Sequence, residues 1–307
     1  MTPAISIQDL KKSYGETVAL RGINMTIGDG EFFGVLGPNG AGKTTTINIL
    51  TGLVRKNEGS AEVFGKDTVS DYRFTRSQVG ISAQEFTQDW FFPLDKLLLF
   101  QAGYYGIPKN EAKDKVDELL LRLGLEEKRT SRLRQLSGGM KRRFQIAKAL
   151  VHDPKILILD EPTAGVDVKL RHELWQYFSE LHKAGKTILL TTHYIEEAEM
   201  LCDRVAIIDK GNVIKEGIPK ELTIQLGQAG ITINISDTDV DVNASLKDFT
   251  FTYAKGRLHF TIQNPEEALP IIINKLTQIG CHIQRVETTK SSLEDVFLSL
   301  TGKGINE

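Results

Sequence analysis

Short runs of alternating apolar and polar positions open the chain: AISIQDL from Ala4, INMTI from Ile23 and EFFGVL from Glu31, separated by Gly and Asp. A period of two is that of strands with one buried face, so residues 4–36 are predicted to form a sheet joined by turns. After Gly37 the pattern changes, and TTTINILTGL suits a helix. Lys155–Leu159 then reads as a buried strand, Leu170–Ala184 as a helix and Thr187–Thr192 as another strand. Strands alternating with helices predict a parallel α/β core. Residues 93–151 are mostly helical in pattern, with Val116, Leu119, Leu120 and Leu123 sharing one face.

Period two returns in ITINIS from Ile231, FTFTY from Phe249 and LHFTI from Leu258. Asn264 and Pro265 supply a cap and a first-turn proline for a helix through Ile279, which Pro270 is expected to kink or to delay. The strand-like HIQRVE follows. A last helix begins with Ser291 or Ser292 as cap, Glu294 or Asp295 completing a capping box, and ends at Gly302. Two domains are expected: residues 1–222, with a helical insert at 93–151, and a small α+β domain at 223–307.

Composition narrows the classes. The 307 residues include 38 Lys and Arg against 40 Asp and Glu, a net charge of −2. That balance offers no bulk attraction to nucleic acid, so an anionic ligand must be held locally. Lys128–Lys148 is dense in basic residues and holds no acidic one. Without interleaved aromatics it reads as a solvated helix face beside an anion, and no nucleic-acid partner is expected. Cys202 and Cys281 form neither a disulfide framework nor a zinc spacing, which fits a reducing compartment. The apolar window FFPLDKLLLF falls short of the roughly 18 residues of a spanning helix, and MTPAISIQDLKKSYG lacks the layout of a signal peptide. A cytoplasmic location is expected.

Three motifs carry chemistry. Gly37, Pro38, Asn39, Gly40, Ala41, Gly42, Lys43 and Thr44, followed by Thr45, fit G-x-x-x-x-G-K-[ST] between a strand and a helix. Such a loop turns its N–H groups toward phosphate oxygens, with Lys43 reaching the outer phosphates and Thr44 ligating Mg2+. Lys155–Leu159 ends in Asp160, placed to hold Mg2+, and Glu161, placed to orient and deprotonate an attacking water. Ser137, Gly138 and Gly139 in LSGGM stand at the start of a second helix, where a hydroxyl and backbone amides face outward.

In this order the motifs resemble those of the nucleotide-binding subunits of ABC transporters, over about residues 4–220. The resemblance implies an α/β P-loop NTPase cassette with an antiparallel β subdomain and a helical insert, followed by the small α+β domain. It implies ATP and Mg2+ as ligands, and an ATPase coupled to transport. It also implies that Tyr14 stacks on adenine, Gln84 touches Mg2+ and the water, Asp167 lies in the D-loop, and His193 contacts the γ-phosphate. Met140 replaces the usual Gln of LSGGQ, and Ala164-Gly165-Val166-Asp167 replaces the commoner SALD. QAGYYG, LSGGMKRR, LILDEPTAGVD and LTTHYIEEAEMLC resemble the YadG-type subunits of bacterial type-2 ABC exporters. LEDVFLSLTG resembles the C-terminal tail of the daunorubicin-resistance branch.

The same resemblance implies a dimer, expected to be a homodimer, in which each nucleotide lies between the loop of one chain and the signature of the other. Without a spanning helix, substrate movement requires a separate polytopic membrane permease, placing the chain peripherally on the inner face of the bacterial plasma membrane. The aromatics Phe86, Trp90, Phe91, Phe92, Phe100, Tyr104 and Tyr105 either form the small core of the insert or receive a helix of that permease. The alternative class is a soluble ABC ATPase acting on nucleic acid or ribosomes. The C-terminal domain is expected to stabilise the dimer or regulate it.

Overall fold

β1 (Ile5–Tyr14) and β2 (Thr17–Ile27) form an antiparallel hairpin. A computed structural model describes the chain over residues 2–83, 91–227, 229–236, 242–254, 256–262, 265–289 and 292–302. These fall into two units, the first closing at Gly217 and the second opening at Ile218. The sequence pattern puts that boundary at 222/223.

In the first unit, β3 (Phe32–Leu36) is buried at every position and is followed by α1 (Lys43–Leu50). β4 (Glu58–Val63) and β5 (Lys66–Asp67) complete an antiparallel sheet of order β2-β1-β4-β5. Its apolar positions, among them Ile5, Ile7, Leu20, Ile23 and Ile27, join Ile47 and Leu50 of α1 in one core. α2 (Tyr72–Gln78) and β6 (Val79–Ser82) lead to the insert. α3 (Leu94–Tyr104) and α4 (Lys109–Arg122) each start just after a proline, where a missing N–H does no harm. α4 buries Ala112, Val116, Leu119 and Leu120, a stripe at helical spacing, and α5 (Gly138–Leu150) closes the insert.

β7 (Ile156–Asp160), α6 (Val168–Lys183), β8 (Thr187–Thr192), α7 (Ile195–Leu201), β9 (Arg204–Asp209) and β10 (Asn212–Gly217) finish the unit. Among the described residues the second sheet runs β10-β9-β3-β8-β7-β6, parallel except for the β9–β10 hairpin. α6 buries Leu170, Leu174, Trp175 and Phe178, and each of the leucines and the phenylalanine is worth about 1.5–3 kcal/mol if fully withdrawn from water. The register positions the site: Leu36 pairs with Thr192, and Asp160 with Thr191. The segments leaving β3, β8 and β7 therefore emerge side by side at one level.

Most described aromatics of the insert lie at its surface. Phe91 is 75% exposed and Tyr104 84%, Phe92 and Phe100 are also exposed, and Leu94, Leu98 and Ala102 fill the interior instead. Tyr105 stacks on His152, while Phe86 and Trp90 lie outside the described residues. No helix among the described residues is long and apolar enough to cross a membrane.

The second unit begins with α8 (Pro219–Leu226), then β11 (Gly230–Ile235), α9 (Val242–Ser245), β12 (Phe251–Ala254), β13 (Arg257–Thr261), α10 (Pro265–Gln278), β14 (Ile283–Thr289) and α11 (Leu293–Thr301). From β11 to β14 the element order is βαββαβ and the antiparallel sheet runs β12-β13-β11-β14, a ferredoxin-like arrangement. Ile231, Ile233, Leu258 and Phe260 pack against Ile272 and Leu276 of α10. α10 starts at Pro265 and runs through Pro270, so the expected delay does not occur. Pro270 has no N–H to donate to the Glu266 carbonyl, so that bond of the helix is lost. Ser292 caps α11 in a reciprocal capping box with Asp295, and α11 packs on α8. Asn264 and Ser291 lie outside the described residues.

Gly80 of β6 approaches α5 so closely that a Cβ there would lie 2.0 Å from the Ala149 carbonyl oxygen. Gly80→Ala is expected to destabilise the protein by about 1–3 kcal/mol, the usual range for overpacking. Denaturant unfolding checks this, and an unchanged midpoint contradicts it.

Candidate active site

The loop between β3 and α1 turns at Gly42, whose φ of 110° suits glycine alone and whose missing Cβ would sit 2.9 Å from the Ala19 carbonyl oxygen. No side chain caps α1 at Gly42, so its first-turn amides are available to an anion. Lys43 is buried, and its Nζ donates to the carbonyls of Gly37 at 2.5 Å and Pro38 at 3.1 Å. Asn39, Gly40 and Thr44 are exposed, and Thr45 is half-buried. Tyr14, Thr17, Val18, Ala19, residues 38–45 and Glu161 line a single cleft. The Tyr14 ring stands 48% exposed at its edge, with the Lys12 ammonium 4.9 Å from its centroid.

Two carboxylates end β7. Thr191 donates its hydroxyl proton to Asp160 Oδ1 at 2.5 Å. Glu161 has a φ of 49°, left-handed for a non-glycine residue, and its N–H donates to the Thr191 carbonyl at 3.0 Å. This turn brings the Glu161 carboxylate to 4.0 Å from Lys43 Nζ and 3.3 Å from His193 Nδ1. Burial pushes the Asp160 carboxyl above its ordinary range and the Lys43 ammonium below its own, the latter opposed by the charges of Glu161 and Asp160.

A second buried cation stands near these acids. Arg142 of α5 donates to the Ala83 carbonyl and to Gln145 Oε1, both at 3.1 Å, and burial lowers its affinity for a proton while Asp160 and Glu161 oppose that shift. The basic run is therefore not wholly a solvated face. Arg142, Gln145, Ile146 and Ala149 recur at helical spacing on the buried side of α5, a signal that residue-type counting misses. Thr191 carried no motif of its own, and its role follows from the β7–β8 register.

The other expected site residues stand apart from the cleft. Ser137 and Gly138 are exposed at the start of α5, where Ser137 Oγ accepts from the Met140 N–H at 3.3 Å. Asp167 caps α6 by accepting from the Leu170 N–H at 2.9 Å. Neither they nor Gly139 are among the residues lining the cleft. Gln84 lies outside the described residues.

A phosphate loop, a buried strand ending in two acids and a histidine at the next strand's end together define a nucleoside-triphosphate-binding α/β protein. The model of the family described as ABC transporter matches residues 20–164. Over 99% of its length the chain is 37% identical to Nod factor export ATP-binding protein I of Burkholderia lata, covering 98% of that protein. It is 33% identical, again over 99% of its length, to the whole of linearmycin resistance ATP-binding protein LnrL of Bacillus subtilis. Among solved structures, cbiO1 of Clostridium perfringens, part of the ABC transporter complex cbiONQ, shares 33% identity at a TM-score of 0.66, covering 73% of this chain and 92% of that one. A dimeric cassette in a post-hydrolysis state with ADP and Pi shares 28% identity at a TM-score of 0.65, covering 70% and 98%. The chain belongs to the ABC transporter family, as an ATP-binding and ATP-hydrolysing subunit of the export type.

Asp160 supplies a pH signature. Its folded-state pKa is raised, so its contribution favours folding below the ordinary carboxylate pKa and is lost as pH rises through the raised value. Asp160→Asn, which keeps an oxygen for Thr191, is expected to raise the melting temperature of nucleotide-free, Mg2+-free protein at pH 7. The gain should shrink as pH falls toward about 4. An equal or lower melting temperature at pH 7 contradicts this.

Proposed function

We propose that the chain hydrolyses ATP as half of a homodimer that drives export through a separate membrane permease. The observation carrying this reading is the placement of Glu161 between Lys43 and His193. Glu161 accepts a proton from water as the water oxygen bonds to the γ-phosphorus. The bond from that phosphorus to the bridging oxygen breaks, and its electron pair leaves with ADP. Lys43 exchanges its two loop carbonyls for phosphate oxygens, the α1 amides hold the remaining charge, and His193 contacts the γ-phosphate. Tyr14 stacks on the adenine at the mouth of the cleft.

The hydroxyl of Thr44 and the carboxylate of Asp160 are hard oxygen donors near the phosphate loop, a set that suits Mg2+, and Gln84 is the third proposed ligand. Mg2+ supplies neutralisation of the β- and γ-phosphate oxygens when bound.

Ser137 and Gly139 do not line their own cleft, which supports completion of each site by the signature of a second copy, with Asp167 at the same junction. ATP then joins two chains through a γ-phosphate that ADP lacks, and hydrolysis releases them. The exposed rings Phe91, Phe92, Phe100 and Tyr104 support docking of a permease helix on the insert, which holds the chain at the inner face of the plasma membrane. Nucleic acid is not a partner in this reading. The second unit stabilises or regulates the dimer.

Glu161→Gln is expected to lower ATP turnover by about a hundredfold to ten-thousandfold, the span of general-base catalysis, and to accumulate as an ATP-bound dimer on gel filtration. Turnover at the wild-type rate overturns the assignment. Phe92→Ala with Phe100→Ala should abolish recovery of the chain with its permease from solubilised membranes without lowering its melting temperature; undiminished recovery contradicts the docking site.

A further inference from the structure

Glu197 of α7, four residues beyond His193, is 1% exposed. A carboxylate so deep persists only where hydrogen bonds hold it. Its Oε1 accepts from two donors, the Thr163 hydroxyl and the Trp175 indole N–H, the latter at 2.9 Å. Its Oε2 has no hydrogen-bond partner among the described residues. A half-satisfied buried acid is a poor device for stability alone, since a well-packed apolar side chain holds such a place as well or better.

The donors come from segments that matter to hydrolysis. Thr163 is fully buried and lies two residues past Glu161. Within the same turn the Ala164 N–H donates to the Glu161 carbonyl and the Val166 N–H to the Thr163 carbonyl, both at 3.2 Å. A shift at Thr163 therefore reaches Glu161 through a short bonded path. Glu161 holds a left-handed backbone that its own residue type disfavours, so its neighbours must keep it there. Trp175 comes from α6, the helix capped by Asp167. A single carboxylate oxygen thus joins the 161–167 turn, α6 and the helix that follows His193.

We propose that Glu197 is a positioning residue: acting through Thr163, it fixes where Glu161 stands relative to His193 and the attacking water. The proposal rests on Glu161 being the group that accepts the water proton. Glu197 does not line the cleft, so its influence falls on turnover and not on ATP affinity.

Thr163→Val removes one hydroxyl at nearly constant shape, Glu197→Ala removes the acceptor, and Glu197→Gln keeps an acceptor oxygen for both donors. Thr163→Val and Glu197→Ala are expected to lower kcat by about tenfold to a hundredfold, the loss typical of a misplacement near 1 Å at a reacting group. KM for ATP and the Kd of a fluorescent ATP analogue should stay within about twofold. Glu197→Gln should recover most of kcat, and Thr163→Val should add nothing further in the Glu197→Ala background. Analogue-binding stoichiometry separates positioning from misfolding: positioning lowers kcat at full stoichiometry, and a folding defect lowers both together. Thr163→Val decides the matter if Glu197→Ala does not fold. Wild-type kcat in Thr163→Val, a kcat loss matched by lost stoichiometry, or Glu197→Gln no better than Glu197→Ala overturns the proposal. Glu161→Gln is measured alongside. If it turns over normally, the assignment of Glu161 fails; if it is inactive while Thr163→Val behaves as wild type, only the role of Glu197 fails.

Discussion

Parallel pairing of β3, β8 and β7 is the constraint on which the first unit depends. With Leu36 level with Thr192 and Thr191 level with Asp160, three chain segments must leave the sheet at one height. One becomes the phosphate loop, one carries Asp160 and Glu161, and one carries His193. A slip of one residue in any pairing would turn its side chains to the opposite face of the sheet, and the three groups would no longer converge. The antiparallel sheet adds the wall of Tyr14, Thr17, Val18 and Ala19.

The buried charges at that edge oppose folding singly and tolerate one another together. Lys43 and Arg142 stand among Asp160 and Glu161, so burial of each is partly offset by its neighbours. Low dielectric surroundings strengthen those attractions and would strengthen equally the pull on a phosphate. The net charge of −2 is therefore no guide to anion binding, because the field that matters is local.

Much of this was legible in the sequence where a local pattern sufficed. The phosphate loop, the Asp160–Glu161 strand and β8 each announce themselves by residue type and period, and the family resemblance supplied their order. What was not legible depends on distant pairing or on burial. The alternation in β11, β12 and β13 marks strands, yet nothing local says that β11 lies between β13 and β14, which is what makes the second unit ferredoxin-like. Arg142 looks like any member of a basic run until helical spacing puts it on the buried face. Pro270 reads as a breaker, but loss of one hydrogen bond did not outweigh the burial of Ala268, Ile272 and Leu276 on the same helix. The aromatic residues of the insert admitted two readings because hydrophobicity does not distinguish an interior from an interface.

In the second unit, β11 and β14 are neighbours, and α8 before them packs on α11 after them. Entry and exit of this segment are thus tied together by its own contacts. A piece of chain closed in this way has the form of a module that recombination can add, exchange or delete as one stretch of gene. The residues of the nucleotide site, by contrast, are scattered from Tyr14 to His193, and no one short stretch of gene carries them.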